Sequence, residues 1–285
     1  MSLRPVVLLA AFSLLVAACG GEHQHAAQSP LPVPSGTPTG EPVLPDFFPE
    51  PPVDVHTKDT GDGWQLEFSS VLVNVGAGEF WLVVDRPSVD DPWVVTQAVR
   101  HAGGGFDQVR TGAEVEWGGD GHDHWHVRRV VSYRMVGIDD TGTPRPGPGL
   151  TDAKVGFCIY DFGRELDGMG PDDAFFERGG CQPEDALRLS MGLSPGWGDT
   201  YEWNLPGQSI DVSDVPDGRY RLWAEADEGG HFTETTKDNN LTWVDLELST
   251  TAAGARAAVV AGVGPQPQGD SAPPESGATG QPVPH

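Results

Sequence analysis

The chain has 285 residues and a formal net charge of −25 at pH 7, with 42 acidic side chains against 17 Lys and Arg. So acidic a molecule is a poor partner for nucleic acid, whose phosphates call for a basic surface. Its field concentrates cations, amines among them, although a solvated acidic face accounts for the same charge without any ligand.

Residues 1–19 start with a cationic Arg4, run apolar from Val6 to Val16 and end in Val16-Ala17-Ala18-Cys19. This is the pattern of a secretory signal rather than a spanning helix. The small residues before Cys19 resemble a bacterial lipobox, in which the cysteine is lipidated and becomes the new amino terminus. The expected location is therefore extracytoplasmic, anchored by lipid at the outer face of the membrane; an ordinary signal peptide with a chance cysteine is the alternative. Residues 20–43, rich in Pro, Gly, Ser, Ala and Gln, read as a flexible linker. Residues 44–250 have the size of one all-β domain. Residues 251–285 return to Ala, Gly, Pro and Gln and read as a disordered tail.

Inside the domain the apolar pattern has period two or forms short buried runs at 64–68, 71–75, 80–84, 129–133, 220–224 and 241–248, which predicts strands. Turn residues separate them, as at 76–78, 139–142 and 216–218, and 183–191 is the one predicted helix. The expected fold is all-β: a single β-sandwich-like domain with long loops, flanked by disordered termini. Beyond Cys19 the remaining thiols are Cys158 and Cys181. In an oxidising compartment an even pair is most simply a disulfide; thiolate ligation of a metal is the other reading, without a CxxC spacing to favour it.

The sharpest local feature is Gly118-Gly-Asp-Gly-His122-Asp-His124-Trp-His126. Alternate side chains of an extended segment share a face, so His122, His124 and His126 converge while Asp123 and Trp125 point away. Three imidazoles suit copper or zinc and leave a position open for water, oxygen or substrate, the arrangement of a catalytic site. Fully extended, the outer two Cα atoms would lie roughly 13 Å apart, so the run needs a bend, which the preceding glycines can supply.

This run resembles the copper-binding signature of the lysyl oxidase family, and the likeness extends in family order through Leu44-Pro-Asp46, residues 68–80, Lys154-Val-Gly-Phe-Cys158, Gly192-Leu-Ser-Pro-Gly196, Asp199-Thr-Tyr201, residues 207–220 and Asn239-Asn240. The resemblance implies a copper-dependent oxidase that converts primary amines and oxygen to aldehyde, ammonia and hydrogen peroxide. His122, His124 and His126 match the copper ligands. Lys154 and Tyr201 match the pair that fuses into lysine tyrosylquinone, a covalent electrophile with which a primary amine or lysine-containing peptide condenses. Asp199 is the candidate base. The family also implies calcium, with Asp46, Glu234, Asn239 and Asn240 as the matching ligands, although Thr236 stands where the family has a further carboxylate and the Asp-Asn-Asn run also reads as a turn. Two further departures are Tyr133, where animal members have a histidine, and the presence of one cysteine pair where they have several. Two other functions fit parts of the pattern. A non-catalytic surface module that binds a metal explains the histidines but not Lys154 and Tyr201, and neither does hydrolysis by a zinc-bound water.

Overall fold

The computed structural model describes residues 30–118, 123–147, 149–151 and 156–265. The domain is nearly all β, and its strands pair antiparallel in several sheets around one core that includes Phe47, Phe68, Phe80, Leu222 and Val244. One sheet is centred on the strand Trp64–Asn74, which pairs with Phe47–Pro49, Val53–Asp59, Trp197–Tyr201 and Ser209–Asp211. A second joins Phe80–Asp85, Val94–His101 and Arg188–Leu193. A third runs through Val131–Gly137, Gly218–Ala226, Leu241–Thr250 and Arg256–Val263. The smallest has three strands, Val115–Trp117, Trp125–Arg128 and Gly156–Phe157, and carries His126, with His124 just before its strand. Among the described residues no helix is long and apolar enough to cross a membrane.

Several elements differ from the sequence expectation for identifiable reasons. The two strands predicted at 64–68 and 71–75 are one, because the intervening serines find partners without breaking the ladder. Ser69 Oγ accepts the Trp203 amide at 3.0 Å, and Ser70 Oγ accepts Gln208 Nε2 at 3.2 Å. The helix predicted at 183–191 is instead a loop leading into the strand Arg188–Leu193. Arg86 holds that loop, donating to the carbonyls of Ala186 at 2.7 Å and Glu184 at 2.6 Å, and pairing with Phe80–Asp85 overrides local helical preference.

Both expected domain boundaries also move outward. Within the predicted linker, the Thr39 amide donates to Gly104 O, Pro34 O accepts Gln108 Nε2, Leu31 and Val33 pack against the cluster around Trp81, and Pro42–Val43 pairs with Val94–His101. Two apolar residues suffice because the sheet already offers a surface for them. Within the predicted tail, Arg256–Val263 forms a strand. Gly254, at φ 84°, makes the turn into it, and Arg256 then bonds Asp217 and the Val215 carbonyl. It pairs with the edge of Leu241–Thr250, whose backbone groups on that side would otherwise be unpaired.

Candidate active site

Three segments distant in the chain meet at one cleft: His124 and His126, Cys158 and Tyr160, and Asp199, Thr200 and Tyr201, with Arg178 and Leu205 beside them. His126, Asp199 and Tyr201 are held by strands, and His124, Cys158 and Tyr160 by the residues flanking strands.

The first segment is the hairpin in which Glu116 opposes His126 and Trp117 opposes Trp125, with the Gly118 amide donating to His124 O at 3.0 Å. His126 is buried, and its Nε2 lies 3.0 Å from His124 Nε2. Metal–nitrogen bonds of about 2 Å put neighbouring ligand nitrogens roughly 3 Å apart, so this pair fits a shared copper or zinc ion. His122 lies outside the described residues, and among those described no set of three metal-ligating side chains is assembled. On the opposite face of the strand, Trp125 is clamped. Its Nε1 donates to Pro183 O at 3.0 Å, Trp93 and Trp117 pack edge-on at 5.0 and 5.3 Å, and the Arg86 guanidinium sits 4.9 Å from its ring. A strand held on its back face presents its imidazoles in a defined direction.

The second segment begins with Gly156–Phe157, paired to Trp125–Arg128. A Cβ on Gly156 would stand 2.7 Å from His126 Cβ and 2.9 Å from both His126 Nδ1 and Glu116 Oε1, so only glycine lets the two strands approach this closely here. Cys158 and Cys181 form a disulfide with Cα atoms 5.8 Å apart, as the even thiol count suggested. Closing a loop of this length stabilises by about 3 kcal/mol in the chain-entropy model. Lys154 lies outside the described residues.

In the third segment Asp199 and Tyr201 oppose Leu72 and Ser70 of the long central strand. The Tyr201 hydroxyl donates to Cys158 O at 2.9 Å and its ring packs edge-on against Phe157 at 4.9 Å, so the disulfide-fixed segment also positions this phenol. Burial, and then the neighbouring Asp199 carboxylate, hold the Tyr201 phenol well above the usual tyrosine range; the same two causes push Tyr160 up to about 12, with Arg178 opposing. Both phenols are neutral at physiological pH. Tyr160 and Arg178 were not singled out from the sequence, although Tyr160 follows Cys158 at the same two-residue interval that links Asp199 to Tyr201. Tyr133 is almost fully buried, hydrogen-bonded to Ser70 and edge-on to Phe68 at 5.0 Å, where it serves the core.

The residues matched to calcium do come together away from this cleft. Asn239 Nδ2 donates to Asp46 Oδ1 at 2.9 Å, and Asn240 Nδ2 to Glu234 Oε1 at 2.9 Å. The ammonium of Lys237 also bonds Glu234 Oε1 at 2.7 Å and Asp227 Oδ2 at 2.6 Å. Glu234 Oε2 accepts the Phe47 amide at 3.1 Å as well. Calcium takes six to eight oxygen ligands. A carboxylate ringed by N–H donors and a fixed positive charge does not fit a calcium ion while Lys237 is in place.

A comparison with curated proteins found no match. A family model described as lysyl oxidase matches residues 178–257, a span that includes Cys181, Asp199, Tyr201, Glu234, Asn239 and Asn240.

Proposed function

From the premise that the chain belongs to the lysyl oxidase family, as the match over residues 178–257 supports, we propose that it is a copper-dependent amine oxidase converting primary amines and oxygen to aldehydes, ammonia and hydrogen peroxide. The observation that carries this reading is the convergence of the His124 and His126 Nε2 atoms, 3.0 Å apart, in the cleft that also holds Asp199 and Tyr201. Copper held by His122, His124 and His126, with lysine tyrosylquinone derived from Lys154 and Tyr201, would supply the electrophile and the oxygen-dependent turnover.

The chain's own groups have separate tasks. The Cys158 carbonyl orients the Tyr201 ring through its hydroxyl, and the clamp on Trp125 keeps the imidazoles from turning away. Asp199, fully buried two residues before Tyr201 on the same face of the strand, is placed to accept the α-proton of an amine seated in the cleft. Its carboxylate also favours a cationic substrate, in keeping with the acidic surface. We assign the protein to the outer face of the membrane, held by a lipid on Cys19 and acting on amines or lysine-containing peptides there; the Cys158–Cys181 disulfide supports an oxidising compartment.

The decisive experiment is peptide mass spectrometry with absorbance spectroscopy on copper-loaded, aerated protein. A Lys154–Tyr201 cross-link with quinone absorbance is expected, absent in both Lys154→Ala and Tyr201→Phe. Full copper occupancy without a cross-link would favour the non-catalytic metal-binding module.

A further inference from the structure

Remote from the cleft, the loop between Gly218–Ala226 and Leu241–Thr250 folds around two carboxylates, Asp227 and Glu234, whose side chains are wholly buried. Burying two carboxylates side by side is costly unless a cation neutralises them. Lys237 supplies that cation. An ammonium has three N–H donors, and those of Lys237 reach Asp227 Oδ2 at 2.6 Å, Glu234 Oε1 at 2.7 Å and Phe232 O at 3.3 Å. Burial alone would lower the lysine pKa, but the bonds to Asp227 and Glu234 outweigh it and hold it above its ordinary value. The carboxylates in turn organise the loop and the amino-terminal strand. Asp227 accepts the His231 and Phe232 amides, and Glu234 accepts the amide of Phe47, a core residue.

Two oxygens of the same pocket, Asn239 Oδ1 and Asn240 Oδ1, are buried without a hydrogen-bond partner. They lie beside the Asp227 and Glu234 carboxylates that Lys237 bridges, and oxygen atoms of this kind are what hard divalent cations take. The charge of the two carboxylates is already countered from within the chain by Lys237.

We propose that Lys237 is a tethered cation that stands in for a bound divalent ion, making this junction independent of calcium. Its removal converts the pocket into a calcium-responsive site. Lys237 is 47% exposed at its side chain, so nothing in the core obstructs its replacement.

The test compares thermal midpoints of wild type, Lys237→Met and Lys237→Arg in calcium-free buffer and in millimolar calcium, with copper loading held constant, and adds calorimetric titration of the wild type with calcium. Wild type and Lys237→Arg should show no calcium response, and the titration should show no binding. Lys237→Met should melt roughly 5–10 °C lower without calcium, as expected for a buried carboxylate pair left without its cation, and should recover saturably on adding it. Calcium binding by the wild type would overturn the proposal, as would a Lys237→Met protein that is fully stable without calcium or is not restored by it. None of these readouts depends on amine oxidation.

Discussion

At Gly156 a single hydrogen in place of a methyl group decides how the site assembles. The strand bearing it passes so close to the histidine strand that a Cβ would press on the His126 ring and on Glu116. The tightest contact of that Cβ, 2.7 Å, is with His126 Cβ, which moves only with its backbone, so Gly156→Ala is expected to push the two strands apart locally and to shift His126. Turning a ligand's ring disturbs its aim at the metal, and such changes around a ligand typically cost roughly 10–100-fold in metal affinity. A copper titration showing unchanged affinity would mean that His126 does not bind the metal in the orientation described. Residue identity also separates the cleft from the loop around Asp227 and Glu234. In one, two imidazoles approach each other as ligands do; in the other, a lysine sits among the carboxylates.

Among the elements, the strand Arg256–Val263 departs furthest from its composition. It adds to the edge of Leu241–Thr250, and Arg256 ties it to Asp217 and Val215, while Thr57 donates to its carbonyl at 2.7 Å. Ending the chain at residue 250 should therefore lower the thermal midpoint by roughly 5–10 °C, at about 2–4 °C per kcal/mol for a domain of this size. A disordered tail could be removed with no change, so calorimetry of the truncated protein separates the two. The same exposed edge carries Val259, Val260 and Val263, and its loss would uncover the backbone groups of the preceding strand.

Across the whole molecule, an excess of negative charge is tolerated because most carboxylates are solvated or paired, and Glu50 is an exception. Burial, and then the nearby Glu165, raise its pKa from 4.5 to about 7. A folded state that holds a proton the unfolded chain has released loses stability as pH rises through that window, here from about 4.5 to 7, and the penalty is complete above it. Glu50→Gln should thus be more stable than wild type at pH 8 by about 1–3 kcal/mol, after discounting for partial exposure, with the difference vanishing near pH 4. Denaturant unfolding at the two pH values measures this directly. A gain of equal size at both would assign the effect to packing instead.

Local pattern was enough to specify the all-β class, most strands, the disulfide pair and the histidine run, because each is written in period-two spacing or in the parity of a scarce residue. The same spacing showed that His124 and His126 share a face, and the resemblance to lysyl oxidases singled out Asp199 and Tyr201. Local pattern could not show that Tyr160 and Arg178 join them, since three segments distant in the chain meet only once the sheets have packed. Nor could it tell a flexible linker or tail from an edge strand, because edge strands draw their stability from the neighbour they pair with rather than from their own composition. The cation pocket depended most on tertiary structure. Asp46, Glu234, Asn239 and Asn240 were visible as oxygen donors, but only the folded loop brings the Lys237 ammonium among them, and a charge placed a few ångströms away decides which ion a set of carboxylates can accept.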